Sequence, residues 1–149
     1  MNSKGFTLIE LVTVLVIVAA LAAYALPNWS PDDTTVAAQA DRLARDLRHT
    51  QALAMAQGRT LSFDVVSASA YRAAAGGSTV TDPATQENFL ITLDNSVTLS
   101  GTDTDFDSLG RPVSAGSLLA AARVFSVTGS SRTATVTVSP VTGYVAVSP

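Results

Sequence analysis

Few residues in this 149-residue chain have the type and spacing to do chemistry, and most of those are acids. Glu10 stands alone in the apolar run from Phe6 to Leu26. A carboxylate at the centre of a bilayer costs roughly 2.5–3.5 kcal/mol, and less near an end of the span. Placed about one turn into the run, Glu10 either reaches back to the headgroups or awaits a partner that the run itself lacks. Asp103, Asp105 and Asp107 in "DTDFDSLG" alternate as the oxygen ligands at positions 1, 3 and 5 of a calcium loop do. The match then fails, because the glycine needed at position six is displaced to Gly110 and position twelve is Ser114 instead of Glu. If the segment is a strand, alternate acids share one face without wrapping a cation.

Other chemistries lack their side chains. The chain has no cysteine and a single histidine, His49, so thiolate catalysis and Cys-based metal sites are excluded and acid–base work has one imidazole. No Gly-x-Ser-x-Gly element and no phosphate-binding glycine loop occurs. The sequence is not that of an enzyme, and no cofactor is expected beyond the weak calcium reading. From Pro27 onward eight Arg face eleven Asp or Glu, a net charge of −3. A phosphate-binding surface normally carries a basic excess, so nucleic acid is disfavoured as a partner.

These residues must be positioned by recognisable elements. Phe6–Leu26 is 21 residues, which as a helix spans about 31 Å, against a hydrocarbon core of about 30 Å. A secretory signal has a shorter apolar region, although Ala23 and Ala25 in "ALPNW" offer small positions for a late cleavage. Lys4 is the only cation ahead of the run, which favours an inside N-terminus and an outside domain. Pro27 kinks the helix or marks its exit from the membrane, and Trp29 suits either the interface or the surface of the domain. Pro31, followed by Asp32 and Asp33, marks a break or a new helix start.

The period is helical from Thr35 to Gln57, with Val36, Ala40, Leu43, Leu47 and Ala54 as the apolar stripe. Asp41–Arg45 and Arg42–Asp46 are i,i+4 pairs, so "ARDLRHT" reads as a solvated face, not as a basic patch of Arg42, Arg45, Arg48 and His49. Gly58 ends the helix. Strands follow in "TLSFDVV", "FLITL", "SVTLS", "RVFSVTG", "RTATVTV" and "GYVAV", the last three as an antiparallel meander packed on the helix. "AAAGGSTVTDPATQEN" reads as a loop, and "AGSLLAAAR" as a loop or a short helix. The fold class is α+β: a long N-terminal helix, half transmembrane and half packed on the domain, followed by a small antiparallel β-sheet domain, shaped like a ladle.

The stretch "KGFTLIELVTVLVIVAALAAYALP" resembles the N-terminus of type IV pilins and pseudopilins, the class III signal. The resemblance rests on a basic residue, Gly5, Phe6, Thr7-Leu8-Ile9-Glu10-Leu11, the apolar run and Pro27. It implies that a prepilin peptidase cuts after Gly5 and that Phe6 becomes the N-methylated mature N-terminus. It also implies an organisation of leader 1–5, transmembrane and filament-core helix 6–26, second half of the helix 27–58 and β domain 59–149. The new amine at Phe6 and the Glu10 carboxylate of a neighbouring subunit would then relieve each other's desolvation and fix axial register. The implied partners are other pilin or pseudopilin subunits, the prepilin peptidase, the inner membrane and its assembly platform. The implied location is the bacterial inner membrane, single-pass, with the N-terminus cytoplasmic and the domain periplasmic, then a filament in the periplasm or outside the cell.

"FDSLGRPV" resembles an F-D-x-x-G-R-P turn of the GspH/FimT branch, carried here by Phe106, Asp107, Gly110, Arg111 and Pro112, and this turn reading fits better than calcium. Arg132, Thr135–Val138 and Gly143 are compatible with the same branch. The expectation is a structural subunit, a minor pseudopilin of a type II secretion or type IV pilus filament. The alternatives are a DNA-binding competence pilin and an adhesive surface pilin presenting "AAAGGSTVTDPATQEN". Some FimT-like relatives bind DNA through a Gly-Arg-x-Arg element, but "GSSR" and "LGRPV" each hold one arginine.

Overall fold

The computed structural model describes residues 7–25, 31–94 and 97–148. The chain divides into two units, residues 1–31 and 32–149. Helix α1 (Leu8–Ala25) belongs to the first unit, and helix α2 (Pro31–Gln57) runs through the second. Pro31 takes the first helical position of α2, where its missing N–H is no loss, so this proline starts a helix. Pro27 and Trp29 lie outside the described residues.

Among the described residues no helix is long and apolar enough to cross a membrane. The 18 residues of α1 rise about 27 Å, just short of a hydrocarbon core. The apolar run of the sequence continues to Phe6 and Leu26, which lie outside the described residues.

The second unit holds two antiparallel sheets over the described residues. The larger contains β1 (Leu61–Ser67), β2 (Ala70–Ala75), β3 (Ser78–Thr79), β4 (Leu90–Thr92), β6 (Thr104–Phe106), β7 (Pro112–Ser114) and β8 (Ser117–Leu118). Its order is β3-β2-β1-β6-β7-β8, with β4 also paired to β2. The smaller runs β11-β10-β9-β5, from Val145–Ser148, Thr133–Val138, Arg123–Thr128 and Thr98–Ser100. Here the expected C-terminal meander is present, and β5 extends it. The Leu99 N–H donates to the Ala68 carbonyl at 2.7 Å, stitching β5 to the larger sheet.

Two segments read as irregular carry strands. Ala73–Ala75 lie in β2 and Ser78–Thr79 in β3, although alanine has little strand preference. Packing overrides propensity there, since Ala73 and Ala74 are fully buried. Gly76 and Gly77 both have positive φ, the geometry of a two-residue hairpin turn whose twist matches the strands. Ala115 and Gly116 repeat this between β7 and β8, so "AGSLLAAAR" holds a short strand and not a short helix.

The expected stripe of Val36, Ala40, Leu43, Leu47 and Ala54 is buried on one face of α2. It meets Phe63, Tyr71 and Phe106 of the larger sheet and Phe125, Val127, Val136 and Val138 of the smaller in one cluster. Phe63 stacks on Tyr71 at 5.0 Å and meets Phe125 edge-on at 5.7 Å. The C-terminus of α2 closes as a Schellman motif: the Gly58 N–H donates to the Met55 carbonyl and the Arg59 N–H to that of Ala54. Gly58 supplies the positive φ this requires.

Candidate functional site

In α1 the ordinary logic of a surface helix is absent. Leu8, Ile9, Leu11, Val12, Val14–Val18 and Leu21 are all exposed, so the helix is apolar on every face. A helix apolar all round belongs in lipid or among other helices. Thr13 donates its hydroxyl to the Ile9 carbonyl at 2.8 Å, which satisfies it within the helix. Glu10 is therefore the one polar side chain from Leu8 to Ala23 whose need is not met internally, and among the described residues its carboxylate has no partner.

The first turn shows why an acid is tolerable at this position. The Glu10 N–H donates to the Thr7 Oγ1 at 3.3 Å, and the Leu11 N–H to the Thr7 carbonyl at 3.2 Å, so Thr7 is the N-cap. Glu10 is the third residue inside, as in the S/T-x-x-E capping pattern, and negative charge there complements the helix dipole. The spelling Thr7-x-x-Glu10 before an apolar run was a sequence signal for this cap, and reading Glu10 only for its charge missed it. Gly5 and Phe6, the expected processing residues, lie outside the described residues.

In the second unit the F-D-x-x-G-R-P stretch forms a tight turn between β6 and β7. Asp107 Oδ1 accepts the N–H groups of Leu109 and Arg111, both at 2.9 Å, while Oδ2 takes Arg111 Nε and Nη2, both at 2.8 Å. Burial alone would raise the Asp107 carboxyl, but the Arg111 N–H and guanidinium and the Leu109 N–H outweigh it and hold the group below its ordinary value. Phe106 and Pro112 are buried on either side. Gly110 has φ +75°, and a Cβ there would come 2.8 Å from Met55 Sδ.

Gln51 was not singled out by sequence reasoning. Its Nε2 donates to the Gly110 carbonyl at 2.6 Å and to the Thr142 carbonyl at 3.3 Å. A Cβ on Gly143 would come 2.9 Å from the Gly110 carbonyl and collide with Gln51 Nε2. The two glycines of the two branch-like patterns thus converge on one helix residue. Only the tertiary structure brings them together.

The three acids considered for calcium do not converge. Asp103 Oδ1 accepts the Val65 N–H at 2.8 Å, Asp105 pairs in the ladder between Ser62 and Val113, and Asp107 is taken up by the turn. Among the described residues no three acids or histidines gather in a way that could hold a metal.

The helix face read as solvated is in part a set of ties to the domain. Tyr71 donates its hydroxyl to Asp46 Oδ2 at 2.6 Å, Arg48 donates to the Val145 carbonyl at 2.8 Å, and His49 Nε2 lies 3.1 Å from Asp82 Oδ1. Arg42 reaches Asp46 only at 3.9 Å, while Asp41 and Arg45 stay exposed. Burial raises the Asp46 carboxyl despite the Tyr71 hydroxyl, and burial and Asp46 together raise the Tyr71 phenol. With Arg48 and His49 engaged in this way, the basic-patch reading loses two of its four members.

Residues 1–26 match the family model of the prokaryotic N-terminal methylation motif. No curated protein matches the chain. Two crystal structures of the type IV minor pilin FimU of Pseudomonas aeruginosa (strain PAO1) are similar in fold. The structure in space group P21 has a TM-score of 0.58 at 14% identity, covering 79% of this chain and 91% of that one. The P65 structure has a TM-score of 0.55 at 14% identity, covering 74% and 90%. At that identity the likeness is one of fold, an N-terminal helix followed by an antiparallel sheet domain.

Proposed function

We propose, from the match of residues 1–26 to the N-terminal methylation motif and from the likeness in fold to a minor pilin, that the chain is a protein of the type IV pilin class and a structural subunit, a minor pilin or pseudopilin, of a type IV pilus or type II secretion filament. In this reading a prepilin peptidase cuts between Gly5 and Phe6 and methylates the new amine. The apolar helix holds the subunit in the inner membrane before assembly, with the domain on the periplasmic side. The helix then exchanges lipid for the helices of neighbouring subunits.

The observation that carries this reading is α1 itself, apolar on every face with Glu10 as the one unmet polar side chain from Leu8 to Ala23. A charge of opposite sign on a neighbour would offset the desolvation of that carboxylate, and the mature amine at Phe6 is such a charge. The cap from Thr7 does not compete with this role, because it uses the Glu10 backbone N–H and leaves the carboxylate free.

Two experiments test the proposal. Mass spectrometry of the N-terminus of the chain isolated from its membranes should find methylated Phe6; a mature start near Asn28 would overturn it. Glu10→Ala should insert into the membrane as the parent does yet enter filaments at least tenfold less. Equal incorporation would remove Glu10 from the assembly mechanism.

A further inference from the structure

We propose that His49 and Asp82 form a pH-operated latch that holds the Thr81–Asn88 loop on α2, tight when the imidazole is protonated and looser when it is neutral. The loop is closed on itself at its base. Thr81 bridges to Asn88, the Asp82 N–H donates to the Glu87 carbonyl at 2.8 Å, and the Gln86 N–H donates to the Asp82 carbonyl at 2.8 Å. Within that frame Asp82 Oδ1 also accepts the Ala84 N–H at 2.9 Å. The same oxygen lies 3.1 Å from His49 Nε2, so one carboxylate joins the loop's internal turn to the helix.

The helix side is equally fixed. The His49 ring lies 5.5 Å from that of Phe89, which is buried in the core immediately after the loop. His49 is half-buried, while Pro83–Asn88 are exposed. The loop is therefore a surface that a partner would meet, and its stem is tied down through the chain's single imidazole.

Histidine is the side chain whose charge changes between about pH 5 and 8. The Asp82 carboxyl is held below its ordinary value, first by the Ala84 N–H and then by His49, so it stays ionised across that range. Protonation thus converts a neutral hydrogen bond into a charge-assisted one. The other charged groups around the imidazole are few. Asp46 lies one turn earlier on α2, and Arg45 and Arg48 are the nearest cations on the same helix. Glu87 is the remaining acid of the loop, and Phe89 contributes no charge. The loop is therefore firmer in mild acid than in mild base, which makes the surface it presents responsive to pH.

The test is amide hydrogen exchange by NMR on the full chain in detergent micelles, corrected for intrinsic rates, at about pH 5.5 and about pH 8. Protection of Ala84, Gln86 and Glu87 is expected to be roughly two- to fivefold greater at the lower pH, the range of a partly exposed ion pair. In His49→Gln, which keeps a donor but cannot titrate, that difference should vanish while Leu43 and Leu47 stay protected. Asp82→Asn, read in the same way, should also lose the pH response, so a folding failure in one variant leaves the other decisive. A parent protein with no pH response, or a response that survives in His49→Gln, would overturn the latch.

Discussion

The two helices use apolar side chains in opposite ways. α2 gathers Val36, Ala40, Leu43, Leu47 and Ala54 into one buried stripe and spends its polar residues on ties to the sheets: Asp46 to Tyr71, Arg48 to Val145, Gln51 to two turns. α1 has no stripe, because apolar residues occupy every side and stay exposed. A helix with one buried face is stabilised by its own domain. One that is apolar all round needs an environment that the chain does not itself supply. The contrast separates folding, which α2 serves, from the anchoring and assembly proposed for α1.

The sharpest way to break that contrast is to truncate one leucine in each helix. Leu47→Ala should cost the domain about 2–5 kcal/mol, as a buried truncation does. Leu15→Ala, at an exposed position of α1, should leave the unfolding midpoint of the domain where it was. Denaturant melts of the full chain in detergent, followed through the sheet signal, check both. Equal losses would merge the two roles.

Gly110→Ala comes next, with an expected cost of about 1–3 kcal/mol, since it forces a side chain into positive φ and against Met55. The same melts read it. Gly77→Ala serves as a control with positive φ but open space, and should cost less.

The Tyr71–Asp46 bond is subtler because its worth depends on pH. Asp46 is raised in the fold, so its contribution is fully present below the unfolded value of 3.8 and is lost as pH rises through the folded value. Tyr71→Phe removes the hydroxyl that eases the ionised carboxylate. Its cost should therefore be about 1–3 kcal/mol at neutral pH and smaller near pH 3.8. The phenol is raised as well, so stability falls as pH climbs past the unfolded value of 10.0, and this alkaline loss should be weaker in Tyr71→Phe. Melting temperature against pH for parent and variant tests both signs.

The smallest effect belongs to Arg42→Ala. Its 3.9 Å pair with Asp46 is partly exposed, and the expected change is under about 0.5 kcal/mol. A larger change would mean that the solvated face of α2 bears more of the fold than its geometry indicates.

Both helices were legible in the residues because their signals are local. An unbroken apolar run and a stripe at spacings of three, four or seven reflect the helical period alone. The six strands read from alternation are present, and Gly58 closes α2 as its type requires. β2 and β8 were obscured because alanine and serine do not advertise strands, and pairing with buried neighbours decides such cases. The paired φ-positive positions at Gly76–Gly77 and Ala115–Gly116 were the remaining clue.

By itself the sequence determined what its local chemistry compels: an apolar helix carrying one acid within an N-terminal methylation-type motif, a second amphipathic helix and a domain of short strands. Tertiary structure alone decided how the strands divide between two sheets. It also decided that Gln51 joins the turns at Gly110 and Thr142, and that the chain's single histidine meets Asp82. Those contacts link residues 33 to 91 positions apart, and no period or motif encodes a partner at that distance. They are fixed only when burial of the α2 stripe brings the turns onto the helix, where carbonyls and carboxylates come within reach of its polar side chains.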